Sequence, residues 1–204
     1  MHSLLLLNAL LTITTALTLP EPNGSYNVAV QVYSLTDLDR MDPYAPPATP
    51  HERKVLISMF WPFKARRSCA THPASYMPPV TAQMYGLAAE ALGLSNETFA
   101  DFKINFCEIG TVNNCDRDSR RPRLPLAIFS PGAGNSRLLY SAMAKSLASR
   151  GYVVVTVDHP YDADIVEFPE GTIILGANLP ENKTNLEKAT RVSSPSKVRD
   201  VSNL

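Results

Sequence analysis

The segment from Leu124 to Ala163, LPLAIFSPGAGNSRLLYSAMAKSLASRGYVVVTVDHPYDA, constrains the fold more than any other stretch. Leu126, Ala127, Ile128 and Phe129 form a short unbroken apolar run, the pattern of a strand buried on both faces of a parallel sheet. From Asn135 the period becomes helical. Leu139, Met143 and Leu147 stand four apart on one face, Asn135 or Ser136 can cap the first amides, and Gly151 can close the C-terminus. Tyr152 to Val157 then reads as a second buried strand, which makes the whole a parallel strand, helix, strand crossover. The turn Pro131-Gly132-Ala133-Gly134 is thereby placed at the carboxyl end of a parallel strand, where such sheets bind ligands.

The rest of the chain supplies one domain around that unit. At 204 residues and 45% hydrophobic, the chain can bury one ordinary core. Lys plus Arg equals Asp plus Glu at 19 each, so no net field points to nucleic acid or a polyanionic partner, and the run Arg117, Arg120, Arg121, Arg123 reads as a solvated loop. Val28, Val30 and Val32 alternate in a strand within Tyr26 to Asp37, and Arg53 to Phe63 is a second. The proline-rich link between them predicts an antiparallel pair with a surface connection. A helix is expected from about Thr81, with Met84, Leu87, Ala88 and Leu92 inward and Gly93 as a stop. Phe102 to Phe106 alternates weakly, VEFPEGTIILG reads as a hairpin, and a last helix starts near Ser196 with Val198 and Val201 inward.

Residues 1–18 have the shape of a secretory signal peptide, an uncharged apolar stretch from Leu4 to Leu17 ending in small residues, which leaves 19–204 as the mature domain. Asn-x-Ser/Thr acceptors at Asn23, Asn96 and Asn182 favour the same secreted, extracellular location. In an oxidising compartment the short spacing favours a Cys107 to Cys115 disulfide and leaves Cys69 over. Cys69 and His72 do not extend to a zinc knuckle, and Asp37, Asp39 and Asp42 lack the glycine and terminal glutamate of a calcium loop.

Several chemistries compete for the glycine turn. Gly132 and Gly134 followed by Asp158 resemble a dinucleotide fingerprint with a ribose-binding acid, but Arg137 occupies the place of its third glycine. No G-x-x-x-x-G-K-[ST] phosphate loop occurs. A tight turn without chemistry is the plain alternative. The remaining reading is an oxyanion hole, since glycines on both sides of Ala133 let a backbone amide face a cleft unobstructed.

The span from Leu126 to His159 resembles the secreted platelet-activating factor acetylhydrolases, α/β-hydrolases that cleave the sn-2 acyl ester of phospholipids. The likeness extends upstream to YNVAV, RKVLISMFWPF and YMPPVTAQMYG, and downstream through VEFPEGTIILG to VRDVSNL. It implies an α/β-hydrolase fold with a mostly parallel sheet and an N-terminal antiparallel hairpin, and no cofactor. It also implies an oxyanion amide at Ala133, flanked by Gly132 and Gly134. Pro131 stands where many relatives have histidine. His159 is expected to be a hydrogen-bonded loop residue, because the base follows the nucleophile in the hydrolase order Ser, acid, His.

A hydrolase of this type presents its serine in a G-x-S-x-G elbow, and no such pentapeptide occurs in the sequence. GLSNE around Ser95 and GNSRL around Ser136 each lack the second glycine. In the family, the segment resembling VRDVSNL precedes the nucleophile strand. The chain is therefore expected to be the N-terminal part of a hydrolase domain, truncated before the elbow, with its Ser, Asp, His triad beyond Leu204. The expected parent activity is hydrolysis of a short sn-2 acyl ester of a phospholipid. A broad small-ester hydrolase and a non-catalytic secreted fragment are the alternatives.

Overall fold

The computed structural model describes residues 16–64, 69–108 and 123–177. In chain order these form β1 (Leu17–Thr18), β2 (Asn27–Met41), β3 (Glu52–Phe63), β4 (Thr71–Ser75), α1 (Pro79–Glu90), α2 (Thr98–Asp101) and β5 (Phe102–Cys107). There follow β6 (Leu126–Phe129), a 3-10 turn (Arg137–Tyr140), α3 (Ser141–Ala148), β7 (Val153–Asp158), β8 (Ile165–Glu167) and β9 (Ile173–Leu175). The Arg117 to Arg121 part of the basic run, Cys115, Asn182, the Ser196 helix and most of the signal-peptide segment lie outside the described residues.

The alternating valines of β2 pair antiparallel with β3, Val28 opposite Pro62 and Tyr33 opposite Ile57, as the hairpin reading expects. β2 runs further than expected, through the Leu38 to Met41 part of the link, with an irregular register between Asp37 and Met41. The main sheet has the order β2-β3-β7-β6. Its β3–β7 contact is antiparallel and its β6–β7 contact parallel, so among the described residues this sheet is mixed where a mostly parallel one was expected. A second sheet of order β1-β5-β4 and the expected hairpin, β8–β9, complete the strands. β4 was not foreseen, because His72 and Pro73 stand in a stretch that reads as irregular, yet it pairs with β5 along its length.

Three expectations about burial are corrected. Leu126 and Ile128 are 55% and 63% exposed: β6 is the edge of its sheet among the described residues, so one face of the apolar run lacks cover. In α1 the inward residues are Thr81, Ala82, Gly86 and Ala89, while Met84, Leu87 and Ala88 face outward, and Leu92, past the helix end, is exposed. Small residues were needed there because the helix lies close to its neighbours. A Cβ on Gly86 would stand 1.9 Å from the Asn96 carbonyl oxygen. In α3 the buried face is Ser141, Ala144, Lys145 and Ala148, Leu147 packs at its margin and Met143 is exposed.

The core follows from these faces. Ala144 and Ala148 let α3 approach Val28, Phe60 and Val154 of the main sheet. Leu56 packs with Ala163, Val166 and Phe168, which seats the β8–β9 hairpin beyond the carboxyl end of β7. Tyr76, Met77, Ala82 and Ile104 join α1 to the second sheet, with Tyr85, Phe99, Phe102, Leu138 and Leu139 around them. Gly151, at φ +98°, ends the α3 segment as expected, a backbone shape that favours glycine.

The disulfide is also a correction. It joins Cys69 to Cys107, Cα atoms 5.6 Å apart. Short sequence spacing was a poor guide, because antiparallel pairing of β4 with β5 sets Thr71 opposite Cys107 and brings the preceding Cys69 alongside.

Candidate active site

Residues 130–136 lie at the carboxyl end of β6, beside the loop 159–164 that leaves β7. Asn135 N–H donates to the Gly132 carbonyl at 3.0 Å, and Gly134 has φ +80°. An i to i+3 bond with a left-handed third residue is the type II turn pattern, and glycine is the residue that adopts it without strain. A Cβ at position 134 would also stand 3.2 Å from Asp164 Oδ1, whereas one at Gly132 meets nothing closer than 3.7 Å.

The peptide planes of the turn are held one by one. Gly134 N–H donates to the Asp162 carbonyl at 3.0 Å, and the Gly134 carbonyl accepts from Asp164 N–H at 2.9 Å. The 132–133 plane is fixed by the Asn135 bond. In a trans peptide N–H points opposite to C=O, so the Ala133 N–H is turned away from the turn interior. Ala133 is exposed, and among the described residues its N–H has no acceptor.

Beneath the turn, β3 and β7 present a polar stripe on an otherwise apolar face. Ser58 lies opposite Thr156, and Leu56 opposite Asp158. Arg137 fills the stripe: its Nε donates to Ser58 Oγ at 2.9 Å, its guanidinium pairs with Asp158 Oδ2, and its backbone N–H donates to Asp158 Oδ1 at 2.5 Å. Arg137 and Asp158 are 3% and 1% exposed. Burial raises the Asp158 carboxyl above its ordinary range, against the opposing pull of the Arg137 charge. A carboxylate so enclosed cannot serve a ribose, which removes the dinucleotide reading of Asp158. Arg137, the misfit of that fingerprint, is the ion's partner.

His159 Nε2 lies 2.9 Å from Ser130 Oγ, and its Nδ1 is buried without a partner. A buried N–H left unpaired is rarer than an under-used acceptor, so the proton belongs on Nε2, donating to Ser130. In that tautomer the pair is a tether between the ends of β6 and β7, and the ring nitrogen facing Ser130 is no base. Burial, then the Arg53 charge, holds the imidazole below its ordinary pKa and favours its neutral form. The neighbouring Tyr161 takes φ +70°, its hydroxyl 2.9 Å from His51 Nε2.

Sequence reasoning missed Tyr85, Ser130, and the roles of Arg137 and Asp158. Nothing in the local pattern marks Tyr85, since its partners are about fifty residues away. Arg137 carried a readable signal: a charged residue at the start of a buried crossover helix needs a counter-ion. Asn23 and Asn96 are exposed. Among the described residues no group of three or more His, Cys, Asp or Glu could hold a metal ion, and no helix is long and apolar enough to cross a membrane.

This architecture is α/β-hydrolase-like. It matches the solved structure of a ferulic acid esterase from Streptomyces cinnamoneus with a TM-score of 0.58 and 29% identity, covering 86% of this chain and 48% of that one. Residues 13–168 match the family described as platelet-activating factor acetylhydrolase, isoform II, and the chain belongs to that family. A protein of Arthroderma benhamiae named a probable 1-alkyl-2-acetylglycerophosphocholine esterase is 32% identical over 172 residues. That alignment covers 82% of this chain and 43% of the relative, so the chain spans less than half the length of the curated protein it matches.

Proposed function

We propose that this chain contributes the oxyanion-binding part of a serine carboxylic-ester hydrolase acting on the short sn-2 acyl group of a phospholipid such as 1-alkyl-2-acetylglycerophosphocholine. The observation that carries this reading is the outward-turned Ala133 N–H at the carboxyl end of β6, in a turn whose other planes are all held. A pre-oriented amide in that place needs no reorganisation when a tetrahedral intermediate forms, and each such donor contributes about 100-fold to 1000-fold in rate. The name of the Arthroderma benhamiae relative supports the substrate class. The activated serine, its acid and its base belong to sequence outside these 204 residues, since no G-x-S-x-G occurs within them. The serine attacks the ester carbonyl while Ala133 N–H and a second amide bind the oxyanion, collapse breaks the ester C–O bond and expels the protonated sn-2 alcohol as the lysophospholipid, and water hydrolyses the acyl-serine to free acid and serine. The apolar leader, the exposed Asn23 and Asn96 and the disulfide support an extracellular location.

Hydrolysis of p-nitrophenyl acetate and of the 2-acetyl phospholipid, with a fluorophosphonate label read by intact mass, tests the assignment. The 204-residue chain is expected to give neither turnover nor adduct, and a longer polypeptide carrying this segment with a G-x-S-x-G serine is expected to give both. A stoichiometric adduct on the shorter chain, with turnover, would show that the nucleophile lies within it.

A further inference from the structure

We infer that Tyr85 is a positioning residue of the glycine turn, a clamp reaching from α1 to hold the Ala133 amide in place; the inference rests on the oxyanion reading of that turn. The Tyr85 hydroxyl donates to the Gly134 carbonyl at 3.2 Å and accepts Ser136 N–H at 2.8 Å. One oxygen thus bridges the 134–135 and 135–136 peptide planes, at the exit of the turn that carries Ala133. Ser136 is also the residue whose Oγ caps Leu138 N–H at the start of the 3-10 turn, so the clamp fixes the exit of the glycine turn as well.

The ring that carries this hydroxyl cannot drift. It meets Phe99 edge-on with centroids 5.9 Å apart, and Phe99 meets Phe102 in the same way at 5.9 Å. The helix is fixed lengthwise by Glu167, whose Oε2 accepts both Thr81 N–H at 2.8 Å and Thr81 Oγ1–H at 3.0 Å. α1 is therefore a strut between the β8–β9 hairpin and the turn. The hydroxyl stays protonated under working conditions, its pKa pushed up to about 12 by burial.

The two bonds are unequal in what their loss exposes. Without the hydroxyl the Gly134 carbonyl keeps Asp164 N–H, whereas Ser136 N–H keeps no acceptor among the described residues. Tyr85→Phe preserves the ring contacts and deletes the clamp alone. Amide hydrogen exchange on the 204-residue chain is expected to speed up about tenfold at Ser136, more than at the β3 and β7 amides, with a modest fall in melting temperature. In the longer ester-hydrolysing polypeptide the same variant is expected to lower kcat about tenfold at constant KM. Unchanged exchange at Ser136 overturns the clamp, and faster exchange with unchanged kcat overturns its role in positioning. If removing the Ala133 N–H itself leaves kcat intact, the oxyanion reading has failed and the exchange result on Tyr85 still stands.

Discussion

Asp158→Asn is expected to lower folding stability by about 3–5 kcal/mol, measured by urea denaturation, because it leaves the buried Arg137 guanidinium unpaired. The amide can still accept the Arg137 backbone N–H on one side. On the other it turns an NH2 toward a cation or gives up the backbone bond. Arg137→Met is expected to cost a similar amount by isolating the carboxylate. Replacing both partners by apolar residues of similar volume removes the mismatch together with the pair, so the double variant is expected to lose less than the sum of the two single changes. Strict additivity would mean that the two side chains do not act as a unit. The consequence reaches the site, because Asp158 also holds the first amide after Ser136 and with it the seat of the glycine turn.

Cys69→Ser and Cys107→Ser are each expected to cost about 4 kcal/mol, the loop-closure value for a bond spanning 38 residues of sequence, measured by urea denaturation. The bond ties the start of the β4 segment to the end of β5, a sheet of which the other edge is the two-residue β1. So small a sheet has little pairing of its own with which to compensate. Recovery of a Cys107 to Cys115 peptide from the oxidised chain would contradict this arrangement.

Where interactions are local, the sequence was a sufficient guide. The β2–β3 hairpin, the β6 to β7 crossover and the β8–β9 hairpin follow from apolar periodicity and from turn residues such as Gly151. The faces of the helices did not. Met84, Leu87 and Met143 are the larger apolar residues and would be chosen for a core by transfer energy, yet α1 and α3 press against their neighbours through Thr81, Ala82, Gly86, Ala144 and Ala148, where close approach excludes bulk. The disulfide failed for a related reason, since strand pairing brings together residues that chain distance keeps apart. In the site, the turn itself was legible from Gly132 and Gly134. Its supports, Tyr85 from α1 and the Arg137–Asp158 pair, depend on contacts across the fold and have no local signature.

The most direct test of the proposal is Ala133→Pro in a longer polypeptide that carries this segment together with a G-x-S-x-G serine. Ala133 is the second residue of a type II turn, where proline is favoured, and its N–H has no acceptor among the described residues, so the substitution deletes the donor and keeps the turn. The account predicts that kcat falls about 100-fold to 1000-fold while the melting temperature and the exchange protection of Gly134 and Asp164 stay the same. An unchanged kcat with the turn intact would show that the Ala133 amide does not bind the oxyanion.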